Sequence, residues 1–334
     1  MMTCLPAAKL RSFVSLFLLC LLVPVSGAYG NDDLRPCSLM PLWSPQAQFA
    51  GYYVALEKGF YRRHGLDMVI LRGGPACPGC EYLKDGRADF AVLWLTTAIR
   101  QYGEGLRLVH LGQIIPRSSM MLVARKSGGI LEPVNMNGAK VGVWGGDLAL
   151  PPRAFFNHYG LHVQEVPQSY TVNLFLRGGV EVASAMWYNE YHTLLNTGID
   201  PDELTVFPLW EYGLNFPEDG LYMLETAYRA HPAMAAACVK ASLEGWAYAF
   251  DHPEEALEIV LGHMRQAKIS ANRTHQRWML ARMRDLIQPV LAADDGGRLN
   301  RDDFARVSAF LLQSGLIKEA PDFNQFTGAA HVAP

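Results

Sequence analysis

Gly86-Arg87-Ala88-Asp89-Phe90-Ala91-Val92-Leu93-Trp94 and Gly179-Val180-Glu181-Val182-Ala183-Ser184-Ala185-Met186-Trp187 share one design: a glycine, an apolar run, and a tryptophan eight residues after the glycine. Each closes a longer pattern. The first begins at Tyr53-Val54-Ala55-Leu56-Glu57-Lys58-Gly59-Phe60 and passes through His64-Gly65-Leu66-Asp67; the second begins at Arg153-Ala154-Phe155-Phe156 and passes through Tyr159-Gly160-Leu161-His162. Both read as a helix, a glycine that stops it, a strand, a second helix, another glycine and a strand ending at tryptophan. This alternation predicts an α/β fold of mainly parallel sheets flanked by helices. Ligands of such sheets sit beyond the carboxyl ends of the strands, where Trp94 and Trp187 fall. The competing reading is a pair of core aromatics, and the matched offsets favour the site.

The chain has 334 residues, of which 50% are apolar and 18% charged, so it can bury a substantial core. Its net charge is −3, and the basic residues are spread along the chain, which argues against a nucleic-acid partner. Residues 1–30 read as an export signal: Lys9 and Arg11 precede an apolar run from Phe13 to Val25, and Ser26-Gly27-Ala28-Tyr29-Gly30 supplies small residues for cleavage after Gly30. The run is short for a membrane span. An exported, soluble protein located in the periplasm is expected. The remaining length exceeds one ordinary core and suggests two lobes. An apolar crossing at Leu122-Val123-Ala124 and a return near Leu221-Tyr222-Met223-Leu224 give lobe 1 as residues 31–120 plus 222–334 and lobe 2 as 121–221. Helices from Pro232 to Phe250, from Pro253, and around Trp278 would complete lobe 1.

Export also changes how the cysteines read, since disulfides persist outside the cytoplasm. Cys77-Pro78-Gly79-Cys80 offers a redox pair, half a zinc site or a local clip. No second CxxC exists for zinc and the flanking Gly73-Gly74-Pro75 reads as a loop, so a structural Cys77–Cys80 disulfide is expected. Cys37 and Cys238 either pair or stay buried as thiols. No GxSxG, HExxH, P-loop or GxGxxG occurs, and His64, His158 and His162 are too loosely spaced for a metal site. Neither a cofactor nor a metal is expected.

The segment Trp43-Ser44-Pro45-Gln46-Ala47-Gln48-Phe49-Ala50-Gly51-Tyr52-Tyr53-Val54-Ala55, followed by Gly59-Phe60-Tyr61 and Gly65-Leu66, resembles the opening of a known family. It is similar to the thiamine-pyrimidine-precursor-binding branch of the periplasmic solute-binding proteins, near the alkanesulfonate and taurine binders. Asn137-Gly138-Ala139-Lys140-Val141-Gly142-Val143-Trp144 continues the likeness, which covers roughly residues 38–260. The resemblance implies a type II periplasmic binding protein fold of two lobes and two crossover strands, which captures a small molecule for an ABC importer and meets its permease as a monomer. It further implies a pyrimidine precursor or riboflavin as ligand, and makes Tyr188-Asn189-Glu190-Tyr191 the second-lobe binding segment. Where such relatives carry Asn and His near positions 46 and 49, this chain has Gln46 and Phe49. A related enzyme, the thiamine pyrimidine synthase, uses a pyridoxal-phosphate lysine, a histidine and a cysteine-rich iron site. Trp94-Leu95-Thr96-Thr97-Ala98-Ile99 carries no Lys or His, so reversible capture without catalysis is expected.

The candidate ligand residues are therefore Trp43, Gln48, Trp94, Trp144, Asp147, Trp187, Tyr188, Asn189, Glu190 and Asp219. Asn and Glu beside aromatics suit a nitrogen-rich ring, whose amines donate to Glu and whose faces stack on indoles. An aliphatic sulfonate would instead want Arg and backbone donors. Gly142-Val143-Trp144-Gly145-Gly146-Asp147 follows a strand and would favour anions, except that Asp147 puts a carboxylate there. It reads as repelling phosphates and sulfonates, or as a helix cap.

Overall fold

Among the described residues ten strands form two five-stranded sheets of matching order. The computed structural model describes residues 34–75, 78–293 and 295–328, so residues 1–30, read from the sequence as an export signal, lie outside the described residues. In the first sheet β1 (Arg35–Met40), β2 (Leu66–Ile70), β3 (Phe90–Trp94) and β4 (Leu108–Gln113) are joined by the returning β10 (Asp219–Leu224), in the order β2-β1-β3-β10-β4. The second holds β5 (Met120–Arg125), β6 (Lys140–Val143), β7 (Gln164–Pro167), β8 (Val182–Met186) and β9 (Leu204–Pro208), in the order β7-β6-β8-β5-β9. β1 pairs in parallel with β2 and β3, as β6 does with β7 and β8. β10 and β5 each run antiparallel to both neighbours. Each sheet is therefore mainly parallel, with one reversed strand inserted by the crossing chain, and helices cover the faces.

The reversed strands place the passages between lobes differently from the sequence reading. Leu122-Val123-Ala124 lies inside β5 and Leu221–Leu224 inside β10, so the chain changes sheets at 114–119 and 213–218. Both apolar runs are central strands, buried on both faces, and a hydrophobic run alone does not say which sheet it belongs to. Glu218 ties the two passages. It is fully buried and accepts from the Ser119 backbone N–H at 2.5 Å, the Ser118 hydroxyl at 3.2 Å and the Ser119 hydroxyl at 3.0 Å. Burial, and next the neighbouring Asp219 charge, push its carboxyl up to about 8. At neutral pH it is a protonated acceptor joining the two passages, so Glu218→Gln should cost less than about 1 kcal/mol while Glu218→Ala, which orphans three donors, should cost about 2–3 kcal/mol in denaturant titration. The proton it keeps when folded also makes wild type lose stability as pH rises from the unfolded value of about 4.3 toward about 8. Glu218→Gln should flatten that slope; equal losses for Gln and Ala would refute this bridging role.

The C-terminal helices pack on the first sheet. Pro232–Asp251 meets Ala50–Glu57 where both lack side chains: a Cβ on Gly245 would come within 2.1 Å of the Gly51 carbonyl oxygen, and one on Gly51 within 2.2 Å of the Trp246 ring. No helix among the described residues is long and apolar enough to cross a membrane. Cys37 and Cys238 are buried free thiols. Cys80 is also free, contrary to the expected clip, and Cys77 lies outside the described residues. Cys80 sits in the first turn of the helix Gly79–Lys84, and burial pushes its thiol up to about 12, which disfavours the thiolate needed for exchange.

Candidate functional site

β3 and β8 both end at the gap between the lobes, and their last residues occupy equivalent places. Trp94 faces Asp219, the first residue of β10, whereas Met186 faces Met120, the first residue of β5. The equivalent of Trp94 is therefore Met186, not Trp187. The two glycines explain the shift: Gly86 has φ +69° and its counterpart is Gly178 at φ +72°, while Gly179 carries no positive φ. Only the first glycine of that pair is in the left-handed region that ends a helix.

Between the sheets lies a cavity of about 110 Å³ lined from the first lobe by Leu42, Trp43, Gln46, Gln48 and Trp94, and from the second by Trp144, Leu148, Tyr170, Met186, Tyr188, Asn189 and Glu190. An apolar cavity of ~150 Å³ accommodates benzene, so this space suits about one flat ring. Of the residues expected at the site, Trp43, Gln48, Trp94, Trp144, Tyr188, Asn189 and Glu190 come together here. Trp187 does not line this cavity: the Arg282 guanidinium lies 4.9 Å from its ring centre and its carbonyl accepts from Trp278 Nε1 at 3.3 Å. Asp219 stands behind the wall. Its Oδ2 accepts from Gln48 Nε2 at 2.9 Å, and Gln48 Oε1 in turn accepts from Gln46 Nε2 at 2.7 Å, so the acid orients two amides of the lining. Burial pushes Asp219 up to about 7. Phe49 is fully buried in the core, so of the two unusual positions only Gln46 lines the cavity.

On the opposite wall Asn189 immediately precedes the helix Glu190–Leu195, and Glu190, 7% exposed, lines the gap. Its Oε2 accepts from the Met186 backbone N–H at 3.0 Å and its Oε1 from Asn189 Nδ2 at 2.9 Å. Burial pushes its carboxyl up to about 7, against the backbone N–H groups of Met186 and of Glu190 itself. It is thus an acceptor held in place, with lone pairs left for a ligand N–H. The edge of Trp43 meets Tyr170 at 4.7 Å between centroids, an aromatic contact that crosses the gap.

Leu42, Trp43, Trp94 and Leu148 also line an adjoining cavity of about 320 Å³. Asp147 faces that space, and its carboxylate is taken by Arg100 of the helix Leu95–Gly103, with Nε to Oδ1 at 2.8 Å and Nη2 to Oδ2 at 3.1 Å. The Asp147 side chain caps no helix. It is neutralised by an ion pair across the gap, and the free repelling charge expected from sequence is absent. Sequence reading missed Gln46, Met186, Tyr170, Leu42 and Leu148. Gln46 stands in the segment already quoted, and Met186 follows once Gly178 is aligned with Gly86. Tyr170 and the Arg100–Asp147 pair carry no local signal.

A family model described as NMT1/THI5 like matches residues 46–256. A riboflavin-binding protein of Chloroflexus aurantiacus is 24% identical over 306 residues, covering 88% of this chain and 85% of that protein. A formylaminopyrimidine-binding protein of Halalkalibacterium halodurans is 22% identical over 250 residues, covering 72% and 74%. Among solved structures, the periplasmic aliphatic sulphonate binding protein of Escherichia coli superposes with TM-score 0.65 at 13% identity, covering 90% of this chain and 99% of that one, a likeness of fold.

Proposed function

The chain belongs to the NMT1/THI5-like family, and from that premise we propose that it is the periplasmic binding component of an ABC importer, capturing a nitrogen heterocycle of the thiamine-pyrimidine or flavin kind as its lobes close. The observation that carries this reading is the cavity wall itself: three indoles and two tyrosines surround one ring-sized space, and its polar groups are Gln46, Gln48, Asn189 and Glu190. Amides and a carboxylate match ring nitrogens and exocyclic amines, and the aromatic faces supply stacking. The names of the two relatives above agree with such a ligand.

A sulfonate is disfavoured by the same wall. Among the described residues no Lys or Arg lines the ring-sized cavity, and Arg100, which lines the adjoining one, is already engaged by Asp147. Catalysis is disfavoured because the acids present are occupied in holding neighbouring groups and no nucleophile is activated beside them. Calorimetric titration with an aminopyrimidine, riboflavin and taurine tests the reading: one of the first two should bind and taurine should not. Tight taurine binding, or steady chemical conversion of a bound pyrimidine, would overturn it.

A further inference from the structure

The helix Arg273–Ala293 lies beyond the stretch that matches the family, yet it touches both walls of the site. One face holds the first lobe's lining: Gln276 Oε1 accepts from the Ala47 N–H at 2.8 Å, and Met279 Sδ lies 3.2 Å from the Gln48 nitrogen. The other face, at helical spacing, presents His275, Trp278 and Arg282 to the second lobe. His275 Nε2 is 2.9 Å from Asn189 Oδ1, and His275 Nδ1 is 2.9 Å from His192 Nδ1. His192 in turn stacks on Trp278, with centroids 4.5 Å apart and 7° between planes.

These contacts assign the protons. Asn189 spends its amide N–H on the Glu190 carboxylate, so its oxygen must accept, and His275 donates from Nε2. Neutral His275 then has a bare Nδ1, which accepts from Nδ1–H of His192. Asn196 presents its Nδ2 3.2 Å from the same His192 nitrogen, and in this tautomer its amide turns over to place the oxygen there. One added proton is accommodated, because His192 can carry its own proton on Nε2 and accept from Nδ1–H of His275; a second sets two N–H groups against each other at a separation that allows one hydrogen.

We propose that His275 is a positioning residue that joins ligand reading to lobe closure: from the first lobe it orients Asn189, and through it Glu190, and its contact with His192 holds the lobes together only while at least one of the two imidazoles is neutral. This rests on the capture reading given above. Burial lowers both imidazoles from their ordinary range, and His192 further lowers His275, so protons favour the parted arrangement. Closure is then present above the ordinary imidazole value of about 6.5 and is lost as pH falls below it. The charged neighbours act in the same sense or stay out of the contact. Arg282 stands 4.6 Å over the Trp278 ring on which His192 stacks, and opposes a second cation there. Arg273 pairs with Glu258, and Arg277 with Glu254. Glu190 binds within its own lobe, so its titration changes what a ligand meets without breaking a contact across the gap.

The experiment measures ligand-free protein by small-angle scattering at about pH 7.5 and pH 5, on either side of the imidazole value, for wild type, His275→Gln and His275→Ala. Wild type should be compact at the higher pH and expanded at the lower. His275→Gln can donate to Asn189 and accept from His192 without titrating, and should stay compact at both; His275→Ala should be expanded at both. Titration with riboflavin and with 4-amino-2-methylpyrimidine at the higher pH should show about tenfold weaker binding for His275→Ala and near wild-type binding for His275→Gln. A wild type that keeps its dimensions, or a His275→Gln protein that still expands in acid, overturns the proposal. If neither compound binds wild type, the heterocycle reading fails, and the scattering still decides the latch; if His275→Ala does not fold, His275→Gln decides it.

Discussion

Trp94→Ala weakens capture of a flat heterocycle by about one to two decades, because it removes a stacking face worth roughly 1–3 kcal/mol. Trp94 is 4% exposed, ends β3 in register with Asp219, and lines both adjoining cavities, so no neighbour can take its place against a ring. Calorimetry on a variant whose melting remains cooperative gives the number. Fluorescence separates this role from that of Trp187: ligand-induced quenching should shrink in Trp94→Phe and persist in Trp187→Phe, whose indole faces Arg282 outside the cavity. Affinity in folded Trp94→Ala equal to wild type would return the residue to the core.

The second large effect is at Glu190. A hydrogen bond from a ring amine to a charged acceptor is worth roughly 1.5–3 kcal/mol, against ~1 kcal/mol for a neutral one. Glu190→Gln keeps the shape, replaces one acceptor by a donor and conflicts with the Met186 N–H or the Asn189 amide it now faces. A heterocyclic amine should bind about tenfold or more weakly, and taurine no worse than before. Since burial holds this acid near 7, wild-type affinity for the amine should rise as pH passes upward through that value, and the variant should lose that component. Equal pyrimidine affinities for the two proteins would remove Glu190 from the ligand.

Much of the architecture is legible because its signals are local. Left-handed glycines such as Gly59, Gly65, Gly86 and Gly160 stop helices, and apolar runs between them must be strands buried on both faces. The same locality misplaces the crossings, since β5 and β10 are as apolar as any strand and reveal their sheet only by pairing. It also misplaces one tryptophan, since Gly178 and Gly179 are indistinguishable by type and differ in φ. Glu190 and Asn189 are legible from the segment that ends β8. Their partner His275 is not, because it lies more than eighty positions away on a helix without a motif. Arg100 and Asp147 likewise meet 47 positions apart, so a charge that reads as free is in fact paired.

Native mass spectrometry of the protein isolated from the cells that make it tests the central claim most directly. The account predicts one retained small molecule, an uncharged or cationic nitrogen heterocycle released unchanged on denaturation and lost from Trp94→Ala. A retained sulfonate or other anion, or a molecule that leaves chemically altered, would contradict it.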